Sequence, residues 1–133
     1  MTTPQSILFV CARNGGKSVM AAGVAAQLAP DRHVVSAGTD PGTSVNALSV
    51  EAMQEMGIDI SRHHPQPVTT DLADAADLIV ILGAEAHLDP SITTPVVRWE
   101  TDEPSARGID GIDRMRLVRD DIADRVRALL RQT

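Results

Sequence analysis

The stretch Ile7–Ala29, ILFVCARNGGKSVMAAGVAAQLA, passes from an apolar run through a loop of small and polar residues into a second apolar run. The loop, Cys11 to Ser18 (CARNGGKS), holds the single cysteine of the chain and its single lysine; the other 11 of the 12 Lys and Arg residues are arginine. Ser6 to Val10 (SILFV) is short, rich in β-formers and closed by the loop, which predicts a buried strand. Ser18 to Leu28 consists almost wholly of Ala, Val, Met and Leu with Gly23 as its only breaker, which predicts a helix buried on most sides and stopped near Pro30. A strand that feeds a helix through so tight a turn is the opening unit of a parallel α/β fold.

Reading outward, the pattern repeats. His33 to Thr39 (HVVSAGT) predicts a second strand ending at Gly38. Asn46 to Met56 carries apolar residues at 48, 52, 53 and 56, one helical face, with Gly57 where a left-handed cap belongs. Asp77 to Leu82 (DLIVIL) predicts a third strand and Pro95 to Trp99 (PVVRW) a fourth. In the tail, Met115, Val118, Ile122, Val126 and Leu129 recur at helical spacing against Arg and Asp, predicting a final helix that closes one face of the sheet. The alternation implies right-handed crossovers and a three-layer α/β fold, a four-stranded parallel sheet flanked by helices. All 133 residues are expected to form one domain, large enough to bury a core without disulfides or metal.

Composition narrows the function. With one Trp, one Phe and no Tyr, the core must be aliphatic, and no aromatic platform exists for stacking bases. A formal charge of -6 also opposes a nucleic-acid partner, because such affinity comes from neutralising phosphates. The N-terminus has no basic leader and its apolar run is too short for a membrane span, so no membrane association and a cytoplasmic location are expected. A lone cysteine forms no internal disulfide, which fits a reducing compartment and leaves a thiol to be explained. His63 and His64 suggest a metal, but adjacent side chains diverge and no companion ligands share a suitable spacing, so they are read as polar loop residues. No metal and no bound cofactor are expected.

The chemistry concentrates in the loop. In an open parallel sheet, ligands bind beyond the carboxyl ends of the strands, where the first strand-to-helix turn lies. Gly15 and Gly16 let successive N–H groups converge, and the helix that follows adds its own unpaired N–H groups and positive dipole end, a cradle for a tetrahedral oxyanion. The helix end contributes only about 0.3 to 1 kcal/mol to an adjacent anion. Lys17, the backbone N–H groups and the Ser18 hydroxyl are the nearby groups that would add to this and make Cys11 a nucleophile. A nucleotide-binding reading of Gly16-Lys17-Ser18 fails, because the earlier glycine of that motif is replaced by Cys11.

The loop resembles the active-site loop of the low-molecular-weight protein tyrosine phosphatase superfamily, C-x5-R-[ST] with Asn three residues after Cys, which also contains a class of arsenate reductases. Ser36-Ala37-Gly38-Thr39 resembles the SAGT segment of that superfamily. SVEAMQEMGIDISRHHPQPV (49–68) resembles its helix and GID-S segment, and WETDEPSARGIDGIDRMRLVRDDI (99–122) its acid loop and final helix. The resemblance implies a low-molecular-weight phosphatase-like fold, Cys11 as nucleophile, and an oxyanion held by Ala12, Arg13, Asn14, Gly15, Gly16, Lys17 and Ser18. It also implies that Asn14 braces the loop and that Ser18 stabilises the thiolate. The general acid of that superfamily is an Asp just before a Pro; here Glu103 precedes Pro104 and Asp102 stands one residue earlier, so both are candidates.

Two departures select the branch. Lys17 stands where the superfamily has Arg, keeping the charge and losing the planar fork. One lost charge-assisted hydrogen bond is worth about 1.5 to 3 kcal/mol, roughly 10- to 100-fold, unless Arg13 or the backbone compensates. After the third strand, ILGAEAHLDP (81–90) has none of the further cysteines that thioredoxin-coupled arsenate reductases of this fold use. A thiol must then come from outside the chain, and Gly-Gly-Lys-Ser with TDEPSARGI is similar to actinobacterial arsenate reductases that use mycothiol and mycoredoxin. The resemblance thus implies an arsenate:mycothiol transferase, with arsenate as substrate, mycothiol as co-substrate and the glutaredoxin-like mycoredoxin as partner. The alternatives are a phosphatase acting on phosphotyrosine or a small phosphomonoester, and a non-catalytic oxyanion-binding module.

Overall fold

Strand β1, Ser6–Cys11, lies at the interior of a four-stranded parallel sheet and carries its last residue, the cysteine, to the carboxyl edge. In the computed structural model, which describes residues 4–131, β1 is followed by α1 (Lys17–Leu28), β2 (His33–Gly38), α2 (Ala47–Gln54), α3 (Thr70–Ala75), β3 (Leu78–Leu82), β4 (Val96–Trp99), a 3-10 turn (Pro104–Arg107) and α4 (Gly111–Leu130). The strand order is β2-β1-β3-β4, so the chain runs outward on one side of β1 and then crosses to the other. That reversal opens a crevice at the carboxyl ends of β1 and β3, the place where such folds bind ligands.

Alternation along β1 divides the core. Ile7 and Phe9 point to the face covered by α1, α2 and α4, where Val19, Met20, Val24, Met53, Val118, Ile122 and Val126 are buried. Phe9 meets Trp99 of β4 on this side, ring centroids 6.1 Å apart. Leu8 and Val10 point to the other face, with Ile79, Ile81, Ala73 and Ala86. Both faces are covered, but unequally: the second has α3, Val68 just before it, and the segment between β3 and β4, from which Leu88 and Ile92 pack inward.

The helix α1 tolerates Gly23 for a steric reason. A Cβ there would come within 3.1 Å of Ile58 and 3.3 Å of Ile60, so the missing side chain lets the segment after α2 pack directly on the helix. On the outer side, Glu55 at the end of α2 accepts hydrogen bonds from Arg116 (2.7 Å) and Arg119 (2.7 Å) of α4. Those two guanidinium groups hold its carboxyl at a pKa of about 2.

Helix α2 ends at Gln54, earlier than the apolar pattern to Met56 suggests, and the chain turns through Gly57 (φ 74°) with Ile58 N–H reaching back to Met53 O at 3.1 Å. Helix α3 is an element that the sequence reading did not anticipate. Its six residues, TDLADA, are too few to show a period, and its start is marked only by Thr69, whose hydroxyl accepts from Leu72 N–H at 3.1 Å. No helix among the described residues is long and apolar enough to cross a membrane.

Candidate active site

The loop after β1 is shaped from outside and from within. Its carbonyl oxygens at Cys11, Ala12, Arg13 and Gly15 accept from the N–H groups of Thr39, Asp40, Gly42 and Asn46, at 3.1, 2.8, 3.0 and 2.7 Å. A loop whose carbonyls are engaged by a neighbouring segment presents its N–H groups to an anion. The close packing depends on Gly38, where a Cβ would lie 2.7 Å from Ala12 O and 3.0 Å from Asn14 N. The loop ends on α1, whose N-cap, Gly16, offers no side-chain acceptor and whose first turn holds no acidic residue, so the first-turn N–H groups have no side-chain cap.

Asn14 is the internal brace. It is fully buried and adopts a left-handed backbone (φ 52°), a conformation that Asn tolerates better than most residues. Its Oδ1 accepts from Gln66 N–H (3.0 Å) and from His63 Nε2 (2.9 Å), which fixes the amide orientation and puts the ring proton of His63 on Nε2. Its Nδ2 donates to Ser18 Oγ at 2.9 Å. The Ser18 hydroxyl also lies 3.0 Å from Cys11 Sγ, a contact in which either group can donate, and the backbone N–H of Asn14 donates to the sulfur at 3.3 Å. Cys11 is 7% exposed, so these two contacts and the cavity above it are the sulfur's immediate polar surroundings.

Neither His63 nor Gln66 was anticipated as part of the site. Both stand in the 60–68 segment, which pairs with the end of β2: Gly38 N–H donates to Gln66 O (2.8 Å) and Val68 N–H to Gly38 O (3.0 Å). Burial beneath this segment, with lesser repulsion from His64, holds His63 below its ordinary value of 6.5 against the opposing hydrogen bond to Asn14. The imidazole is therefore a neutral structural donor to the loop.

A cavity of about 490 Å³ opens over the sulfur, lined by Cys11, Ala12, Arg13, Gly16, Lys17, Leu82, Gly83, Ala84, Glu85, Glu103 and Arg114. Lys17 lies across it: its Nζ meets Glu103 Oε1 at 2.5 Å, and it passes Gly83 so closely that a Cβ there would be 3.3 Å from the ammonium. The two candidate acids separate here. Glu103 lines the cavity, whereas Asp102 receives both prongs of Arg107, at 2.8 and 3.1 Å, and does not. Those hydrogen bonds hold Asp102 below the usual carboxylate range and turn it away from the cavity, so position separates the two candidates. Arg13 turns to Asp40 (2.9 Å), the pair largely in solvent, so its guanidinium does not replace the missing fork over the sulfur. A second cavity, of about 820 Å³, adjoins the first; Arg13, Gly16, Lys17 and Arg114 line both.

Residues 6–133 match the family described as "Low molecular weight phosphotyrosine protein phosphatase". The chain belongs to this family. It is 37% identical to the arsenate reductase of Staphylococcus aureus (strain Newman) over 118 residues, covering 86% of this chain and 89% of that one. Among solved structures, an arsenate reductase in the phosphate-binding state is 30% identical with a TM-score of 0.81, the match covering 98% of this chain and 97% of that one. Vibrio vulnificus Wzb in complex with benzylphosphonate superposes with a TM-score of 0.84 over 98% of this chain and 99% of that one; at 20% identity this supports the fold alone. The phosphatase-like fold expected from the loop and the SAGT segment is therefore established, and the family includes arsenate reductase relatives of almost the same length.

Proposed function

We propose that the chain is an arsenate reductase working as an arsenate:thiol transferase with a small external thiol, mycothiol being the candidate from the resemblance of its loops. The observation that carries the reading is the sulfur of Cys11, held by Ser18 and the Asn14 N–H at the mouth of an open helix N-terminus, in a chain with no second cysteine to resolve an adduct. The arsenate reductase and phosphate-bound relatives support the same assignment of substrate.

In this mechanism the loop N–H groups and Lys17 hold the arsenate oxygens. The Cys11 sulfur forms a bond to arsenic while one arsenate oxygen leaves as water, Glu103 relaying to it a proton taken up from solvent. The thiolate of the external thiol then displaces Cys11 from arsenic, and arsenic departs as a thiol adduct, still pentavalent. Reduction follows away from this site: a thiolate of a glutaredoxin-like protein such as mycoredoxin attacks the adduct sulfur. A disulfide forms, the sulfur–arsenic pair of electrons stays on arsenic, and arsenite is released.

A phosphatase reading uses the same nucleophile and acid, and Glu103 immediately before Pro104 favours it. Against it, the acid loop reads Glu103-Pro104-Ser105-Ala106, and the described cavity walls hold no aromatic residue to receive a phenyl ring. Measuring arsenite from arsenate with and without added mycothiol and mycoredoxin, beside para-nitrophenyl phosphate turnover, separates the two. Thiol-dependent arsenite with slow ester hydrolysis supports the reductase. Rapid hydrolysis with no arsenite overturns it.

A further inference from the structure

In place of the fork missing at Lys17, the structure assigns an anion-binding role to Arg114 of α4: its guanidinium is the second cation for the tetrahedral oxyanion at Cys11. The inference rests on reading the Cys11 loop as an oxyanion site and is independent of the chemistry that follows binding.

Three observations converge on it. Helix α4 is dense in arginine, and its other arginines are matched to carboxylates: Arg116 to Glu55 and Asp113, Arg119 to Glu55 and Asp120, Arg125 to Asp121, Arg127 to Asp124. Arg114 makes no ion pair and no side-chain hydrogen bond among the described residues. Its Nε is also buried without an acceptor, one of three such side-chain atoms among the described residues, with Arg32 Nη1 and Thr101 Oγ1. Of those three residues, only Arg114 lines the Cys11 cavity, and it lines the adjoining cavity as well. A fold that pairs the other arginines of the helix and leaves this one unpaired beside the cavity is explained by an acceptor that arrives with the ligand.

Electrostatics makes the addition useful. Lys17 is the loop's own cation, yet its ammonium is shared with Glu103 at 2.5 Å, so part of its charge is already balanced. Arg13 is turned to Asp40. A multiply charged arsenate or phosphate at Cys11 would therefore meet an undercompensated pocket in a chain of net charge -6. Arg114 supplies an unshared positive charge and the planar donor pair that an ammonium lacks.

The test is titration calorimetry of inorganic phosphate into the parent protein, Arg114→Gln, Arg114→Ala and Arg114→Lys, each checked for folding by its melting temperature without phosphate. The expected result is that phosphate binds the Gln and Ala variants about 10- to 100-fold more weakly than the parent, with Lys between. The rise in melting temperature on adding phosphate should shrink in the same order, while the phosphate-free melting temperature stays level or rises, a pattern that a purely structural arginine would not give. A phosphate Kd within about twofold of the parent's in folded Arg114→Gln would overturn the inference, on the same scale as that loss. So would an effect confined to the KM for mycothiol, which would place Arg114 on the co-substrate instead. If the parent itself binds no phosphate, the oxyanion-site reading fails and this inference with it, a result distinct from failure in the variants alone.

Discussion

Lys17 Nζ and Glu103 Oε1 stand 2.5 Å apart although 86 residues separate them in sequence, joining the oxyanion loop to the loop before α4. The pair holds the Glu103 carboxyl at the wall of the Cys11 cavity, while its neighbour Asp102 is turned away onto Arg107. Glu103→Gln should therefore lower the rate of arsenite formation by about 10²- to 10⁴-fold, the range for losing a positioned proton donor. Asp102→Asn should leave that step nearly intact and act through loop order. Single-turnover kinetics of the two variants checks the assignment, and the reverse ranking would exchange their roles.

Asn14 is a single buried side chain that ties α1 to the 60–68 segment. Replacing it by Ala removes three hydrogen bonds and places a less tolerant residue at φ 52°. A loss of about 2 to 4 kcal/mol in urea unfolding is expected, since several buried partners are orphaned at once. Asn14→Gly relieves the backbone and still loses the bonds, so it should recover only part of the deficit.

Gly38→Ala tests the close approach of β2 to the loop. The new methyl would meet backbone atoms, Ala12 O and Asn14 N, which cannot rotate away. A destabilisation of about 1 to 3 kcal/mol is expected, with weaker phosphate binding because the cradle must shift. A variant as stable as the parent would show that the loop relaxes freely.

His63 sets an acid limit. Its folded pKa lies below the ordinary 6.5, chiefly through burial, so its contribution to stability is complete above about that pH and is lost as pH falls through the folded value. Proton NMR should show a ring titrating below the free value. His63→Gln, which stays neutral, should flatten the fall in stability between pH 6.5 and the folded pKa.

Much of this was legible in the sequence because the decisive groups are contiguous. Cys11, Asn14, Gly15, Gly16, Lys17 and Ser18 lie in one turn, and the alternating pattern around them sets the sheet. What was not legible depends on distance or on regularity. His63 and Gln66 reach Asn14 from 49 and 52 residues away, and nothing local distinguishes His63 from any polar loop residue. Asp102 and Glu103 are adjacent carboxylates in an irregular turn, and their directions are decided by Arg107 and Lys17 rather than by a period. Arg114 reads as one more arginine on the polar face of α4 until its neighbours are seen to be paired. Helix α3 is too short to leave a periodic trace.

The central claim is that Cys11 presents a nucleophilic sulfur to a seated tetrahedral oxyanion. The most direct measurement is mass-spectrometric labelling of the intact protein with iodoacetamide at neutral pH, with and without arsenate, alongside Cys11→Ser. The account predicts rapid single-site labelling that arsenate suppresses and that the Ser variant lacks. A cysteine that stays unlabelled in the folded protein, or that labels at the same rate whether or not arsenate is present, would contradict it.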